Sequence, residues 1–302
     1  MLAQSENIVR IEGILSEINL TDREFTNKNN QKMPCISGTV NIKVKYDYKG
    51  NTYDVNIPVS AFAAKYTNSG SENPAYTSLE NVKNNFVSIA ASDEETADRI
   101  RLTNGTIAEN AFYSGNQLIT YPRINGSFFT KVKREEFAPT ATFKETIVLA
   151  NIIDEVDSEG VETGALNIQG IIIQYGEKAD VVKFVVRNPS YVEYIKSHWN
   201  VKDTVRVGGI INYSSKTEYV EEEVGFGDPI KTPRTVSVRE FILTSGSPNG
   251  LDTDFAYEEE KMTKALAARR SRLEQLKISS SNKTVVSQPA NSIATSLSDI
   301  DF

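Results

Sequence analysis

Twice along the 302 residues, three segments of alternating apolar and polar side chains lead into a helix-spaced patch, and two more alternating segments follow. A period of two buries one face of a strand, whereas a period near 3.6 buries one stripe of a helix. In the first copy, "NIVRIEGILSEINL", "MPCISGTVNIKVKYDYKG" and "TYDVNIPVSAFA" read as strands, the last two joined by a turn between Asp47 and Asn51. Leu79, Val82, Phe86 and Ile89 then recur at steps of three or four, which predicts a helix. "RIRLTNGTIAENAFYSG" and "QLITYPRINGSFFTKVKR" restore the strand pattern, with Asn104–Gly105 and Asn125–Gly126 as turn or bulge sites.

The second copy uses different residues in the same order. "TFKETIVLANIIDEV", "ALNIQGIIIQYG" and "DVVKFVVRN" precede the short helix "SYVEYIKSHW", which starts after Pro189. "DTVRVGGIINYSS" and "RTVSVREFILTSG" complete the set, separated by an acidic insert expected as an extended hairpin or loop. Five strands with a helix between the third and fourth is the order of the OB-fold, a partly open Greek-key barrel that presents a strand face and loops to oligonucleotides or oligosaccharides. The expected fold is therefore mainly β: two tandem OB-fold-like five-stranded barrels over residues 5–140 and 141–247. A helix over 251–278 follows, "DFAYEEEKMTKALAARRSRLEQLK", with acids early and bases late as the helix dipole favours. Docking on the second barrel is preferred to a coiled coil, because Met262, Leu266, Leu273 and Leu276 form no clean heptad. Residues 279–302, rich in Ser, Asn and Thr, are expected to be disordered.

Several function classes are set aside by what the chain lacks. One cysteine, Cys35, and one histidine, His198, supply neither a disulfide framework nor a zinc cluster. Neither a GxxxxGK[ST] loop nor a GxSxG elbow occurs, so no enzyme, metal or cofactor is expected. His198, beside Trp199 at a helix end, reads as packing or capping. No run approaches a membrane span and the N-terminus lacks a secretory pattern, which predicts a cytoplasmic protein. The net charge of −7 is uneven: 15 Lys and Arg face 16 Asp and Glu over residues 1–140, against 11 and 16 over 141–250. A basic face is thus easier to place on the first barrel, since distribution matters more than the sum.

Within "TYPRINGSFFTKVKR", a strand from Ser127 would put Phe128, Thr130 and Val132 on the core side. Phe129, Lys131 and Lys133 would then share the outer one, with Tyr121 and Arg123 in the same parity. In "VNIKVKYDYKG", Lys43 and Lys45 face away from Ile42, Val44 and Tyr46, and Tyr48 lies at the hairpin tip. Cations to follow phosphates and flat rings to stack on bases are what a single-strand binder needs. The plainer interpretation is that strand lysines keep a sheet soluble and aromatics fill a barrel; the joint occurrence on strands near an OB ligand face favours binding.

The closing "SLSDIDF" is the last motif: Ile300 and Phe302 suit a partner's pocket, and Asp299, Asp301 and the terminal carboxylate its basic rim. OB-like domains, a low-complexity linker and this terminus together resemble the single-stranded DNA-binding proteins of bacteria and their phages, a tandem-barrel phage type above all. That resemblance implies coating of single-stranded DNA without strong sequence preference in replication or recombination. It also implies recruitment of replication or recombination proteins by Asp299, Ile300, Asp301 and Phe302, although Asp301 stands where the family has proline. A monomer is expected. The rival expectations are a phage structural or assembly protein built of tandem β domains, and a carbohydrate-binding module using Tyr121 and Phe129 as sugar platforms.

Overall fold

A computed structural model describes residues 2–281 except 28–29, 116, 158, 223–229, 249 and 251–255. The C-terminal heptapeptide, with Asp299, Ile300, Asp301 and Phe302, lies outside the described residues.

The first copy folds as β1 (Asn7–Thr26), β2 (Lys32–Tyr48), β3 (Asn51–Ala64), α1 (Pro74–Asn85), β4 (Arg99–Ser114), β5 (Gln117–Asn125) and a short β6 (Phe128–Lys131). The second comprises β7 (Thr140–Val156), β8 (Glu162–Gln174), β9 (Lys178–Val186), α2 (Pro189–His198), β10 (Thr204–Glu222) and β11 (Ile230–Gly246), followed by α3 (Glu259–Ser281). Both helices inside the copies start the same way. Asn73 and Asn188 accept a hydrogen bond from the backbone N–H two residues on, and Pro74 and Pro189 occupy the first turn, where a missing N–H costs nothing. The first ends at Asn85, so Phe86 caps it and Ile89 falls in a separate 3-10 turn, four residues short of the sequence-based expectation.

Each copy closes on itself by the same circuit. β1 pairs antiparallel with β2 and with β4, β2 with β3, β4 with β5, and β3 meets β5 in parallel. β7 to β11 repeat this, with β7 pairing β8 and β10, and β9 meeting β11 in parallel at Val185 and Ile242. These are two OB-type barrels. They are joined by more than a linker: Asn7 to Glu12 of β1 pair with Glu145 to Thr140 of β7, so one ladder runs through both. Their interiors merge accordingly, and one cluster of buried residues holds Val9, Ile57 and Ile107 of the first barrel together with Phe143, Phe184 and Phe241 of the second. The three phenylalanine rings pack with centroids 5.4–6.2 Å apart, at separations where tilted and edge-on contacts are favourable.

The facing of Phe129 departs from the sequence expectation. Leu102 and Ile107 both point into the first barrel although they differ in parity, because Asn104 takes a left-handed conformation (φ 57°) and resets the alternation of β4. The partner strand resets opposite it: Ile124 points inward, Gly126 sits where a Cβ would lie 2.4 Å from a Leu102 methyl, and Phe129 then points inward too. Phe129 is thus 4% exposed and packs in the core opposite Leu102, while Phe128 is 41% exposed.

Candidate nucleic-acid interface

An OB barrel takes its ligand on the outer face of its second and third strands. In the first barrel β1, β2 and β3 run side by side there. Register places Thr21, Ser37 and Phe62 in one row, and Arg23, Cys35 and Ala64 in the next. Ala61 and Ala63, flanking Phe62, point into the core, so the large ring stands outward and is 54% exposed. Its edge meets Phe25 at 5.4 Å and 78°. Arg23 is held beside this pair by its Nε, which donates to Thr21 Oγ1 at 3.0 Å, and Thr21 in turn donates to Ser37 O. Beneath lies Cys35, whose thiol is pushed above its ordinary pKa by burial, an effect that the nearby Arg23 guanidinium offsets in part. Ser127 Oγ donates to Phe62 O, which brings the exposed Phe128 to the same edge. Rings in edge contact beside a guanidinium are the groups that single-strand binders use to stack bases and meet phosphates.

Lys43 and Lys45 stand on the same face, further along β2, opposite Asn56 and Asp54. Lys43 is drawn into a 2.7 Å ion pair with Glu94, and that hydrogen bond raises its pKa. Tyr48 marks the hairpin tip, where Lys49 Nζ lies 5.6 Å from its ring centroid. The other sequence candidates lie elsewhere. Lys131 turns to the α1 side, pairing with Asp98 Oδ2 at 2.8 Å, donating to Asn85 O and capping the Phe86 ring at 4.9 Å. Lys133 is exposed beyond the end of β6. Tyr121 and Arg123 are half-buried on β5, where the Tyr121 ring meets Phe112 edge-on and Arg123 donates to Asn110 Oδ1. Between them Pro122 O accepts from Tyr213 of the second barrel, so this stretch lines the seam between barrels. Arg23 and Phe25 lie beyond Leu20, where the sequence reading ends the first strand, and Phe62 lies within the expected third strand, where the lysines of the neighbouring strand are preferred to it. The available signals were the continued alternation of "TDREFT" and a phenylalanine set between two alanines in "SAFAA".

The same face of the second barrel is occupied. Ile171 and Ile173 of β8 and Ala179 and Val181 of β9 point outward as apolar groups, and Met262, Ala265 and Leu266 of α3 cover them. Burying each of Met262 and Leu266 contributes about 1.5–3 kcal/mol. A buried charge network pins the helix at both barrels. Arg269 donates to both carboxylate oxygens of Glu109 on β4, with Nε to Oε2 at 2.7 Å, and Arg272 pairs with Asp180 of β9 at 2.9 Å. The N-terminal segment adds a further strap, Ser5 exchanging hydrogen bonds with Ile173.

Among the described residues no group of three or more His, Cys, Asp or Glu is arranged to hold a metal, and no helix is long and apolar enough to cross a membrane.

Two linked OB-type barrels, one with its strand face open and one with it covered by α3, define a tandem-barrel protein with an aromatic and cationic strand face. The chain belongs to the YorF family, whose model matches residues 5–279. No curated protein matches it. Among solved structures, the wild-type single-stranded DNA binding protein from Thermus aquaticus is similar over 81% of this chain and 93% of its own, with TM-score 0.48 and 8% identity. A deletion variant of that protein is similar over 86% of this chain and 100% of its own, with TM-score 0.46 and 8% identity.

Proposed function

We propose that this protein binds single-stranded DNA without strong sequence preference, on the open face of its first barrel, during replication or recombination. The observation that carries this reading is the edge-on contact of the half-buried Phe25 on β1 with Phe62 on β3, which is 54% exposed, with Arg23 beside them on a sheet face continuous with the strands where an OB barrel takes oligonucleotides. Phe62 and Phe25 stack on bases, and Arg23, Lys43 and Lys45 meet phosphates. The second barrel, its own face filled by α3, acts as the frame that holds the first. No bond is made or broken, and no cofactor is needed. The chain works as a monomer in the cytoplasm, and Asp299, Ile300, Asp301 and Phe302 recruit replication or recombination enzymes.

The test is a titration into labelled oligo-dT and its duplex, followed by anisotropy at several salt concentrations. Three phosphate contacts predict a slope of log K against log salt of about −2. Losing one stacked base costs about 1–3 kcal/mol, so Phe62→Ala weakens single-strand binding roughly 5- to 150-fold while leaving the fold intact. Equal affinity for the duplex, or unchanged affinity in both Phe62→Ala and Arg23→Ala, would refute the assignment.

A further inference from the structure

The Asn188–Pro189 turn that starts α2 takes the chain away from β11 just after the two strands meet at Val185 and Ile242. Beyond that point, Leu243 to Gly246 keep β10 on one side and face α2 across a groove of about 450 Å³ on the other. Three aromatic side chains line it, and each is fixed by its polar end. Tyr194 donates to Pro248 O at 2.6 Å and stacks on His198 at 4.1 Å and 7°. Trp199 donates its indole N–H to Ser247 O at 3.1 Å. The indole lies so close to β11 that a Cβ on Gly246 would fall 2.6 Å from the ring. Tyr191 accepts from Lys49 Nζ at 2.6 Å, and the ammonium lies 5.0 Å from its ring centroid. Lys49 belongs to the β2–β3 hairpin of the first barrel, four residues beyond Lys45 on the candidate DNA face. Tyr194 is 39% exposed, with the buried Trp199 as the wall behind it, and an open aromatic plane with a cation at the rim is what proteins use to hold an unpaired base.

We propose that this groove is a second nucleic-acid contact, taking an unpaired nucleobase from the same strand that lies on the first barrel, with its phosphate at Lys49. This rests on the reading of the first barrel above and extends it. At about 3.3 Å per residue, the path along β2 from Ser37, beside Phe62, to Lys49 is about 40 Å, so a long strand is needed to reach both.

The chain contains one tryptophan, Trp199, and it lies in this groove, so its emission reports groove occupancy while anisotropy reports binding as a whole. A long oligo-dT is expected to raise anisotropy and quench Trp199 together. Tyr194→Ala, with folding checked by circular dichroism, is expected to lose most of the quenching and about fivefold or more in affinity. Lys49→Glu, at an exposed hairpin tip and with folding checked in the same way, is expected to reduce quenching as well. If anisotropy rises while Trp199 emission stays constant, or if quenching survives unchanged in both variants, the groove assignment falls and the first-barrel reading stands. If anisotropy does not change at all, both assignments fall.

Discussion

Replacing Arg269 by methionine keeps the volume of the side chain but removes both hydrogen bonds to Glu109, whose carboxylate is 1% exposed. Arg272 remains only at 3.5 Å from it, and is itself committed to Asp180. Breaking a buried pair from one side leaves an uncompensated charge in a low-dielectric site, so Arg269→Met is expected to cost about 3–5 kcal/mol. Set against the roughly 5–15 kcal/mol that stabilises a typical domain, this is a large loss. Glu109→Leu alone strands the Arg269 guanidinium and is expected to cost a similar amount. Combining the two substitutions removes both charges and lets two apolar chains meet, so the double variant is expected within about 1 kcal/mol of the parent, or above it. Urea unfolding of the four proteins gives the coupling energy directly. Single substitutions each costing less than about 1 kcal/mol, or a double variant as unstable as the sum of the two, would show that this network does not hold α3 as described.

Glu145 offers a pH test: it is fully buried between Asn7 and Val207, and both its carboxylate oxygens lack a hydrogen-bond partner. Burial, with a smaller push from Glu6, raises its pKa well above the carboxylate range, so the folded state keeps the proton where the unfolded state has lost it. Its contribution to stability therefore declines as pH rises from the ordinary glutamate value to the raised folded one, by up to about 1.4 kcal/mol per pH unit. Glu145→Gln, compared with the parent by denaturation between pH 4 and 8, is expected to gain relative stability steadily toward high pH; a constant difference refutes this. The buried Cys35 thiol should react slowly with a thiol reagent at neutral pH and faster once urea opens the first barrel, whereas rapid labelling of the folded protein contradicts its placement beneath Arg23 and Phe62.

The doubled strand order was legible because alternation is a local signal that each copy carries for itself, with Pro189 marking the second helix start. What remained hidden depended on geometry between segments. Parity counting from Ser127 could not see that Asn104, more than twenty residues earlier, resets β4 and with it the facing of Phe129. The apolar stripe of α3 looked broken because position 269, where Leu266 and Leu273 call for another apolar group, holds an arginine. That gap is filled by a charge whose partner, Glu109, is 160 residues away. Lys131 carried the right chemistry for a phosphate, but it turns to the α1 side, away from the open strand face, where Asp98 and Phe86 hold it. Phe62 carried its signal plainly, in the alanines on either side.

The ladder between β1 and β7 has a consequence for how a flexible polymer is held. Barrels on a loose tether search for their second contact anew after the first is made, with an effective concentration diluted by every added residue of linker. Here Asn7 to Glu12 are hydrogen-bonded into the neighbouring barrel, and the orientation of the open strand face relative to α2 is set at folding. On the proposed reading, a strand that lands on Phe62 would meet Lys49 and the groove behind it at a fixed distance and angle. The orientational entropy of a second domain is spent at folding, so a long strand bound as proposed would gain its later contacts without having to arrange the protein around itself.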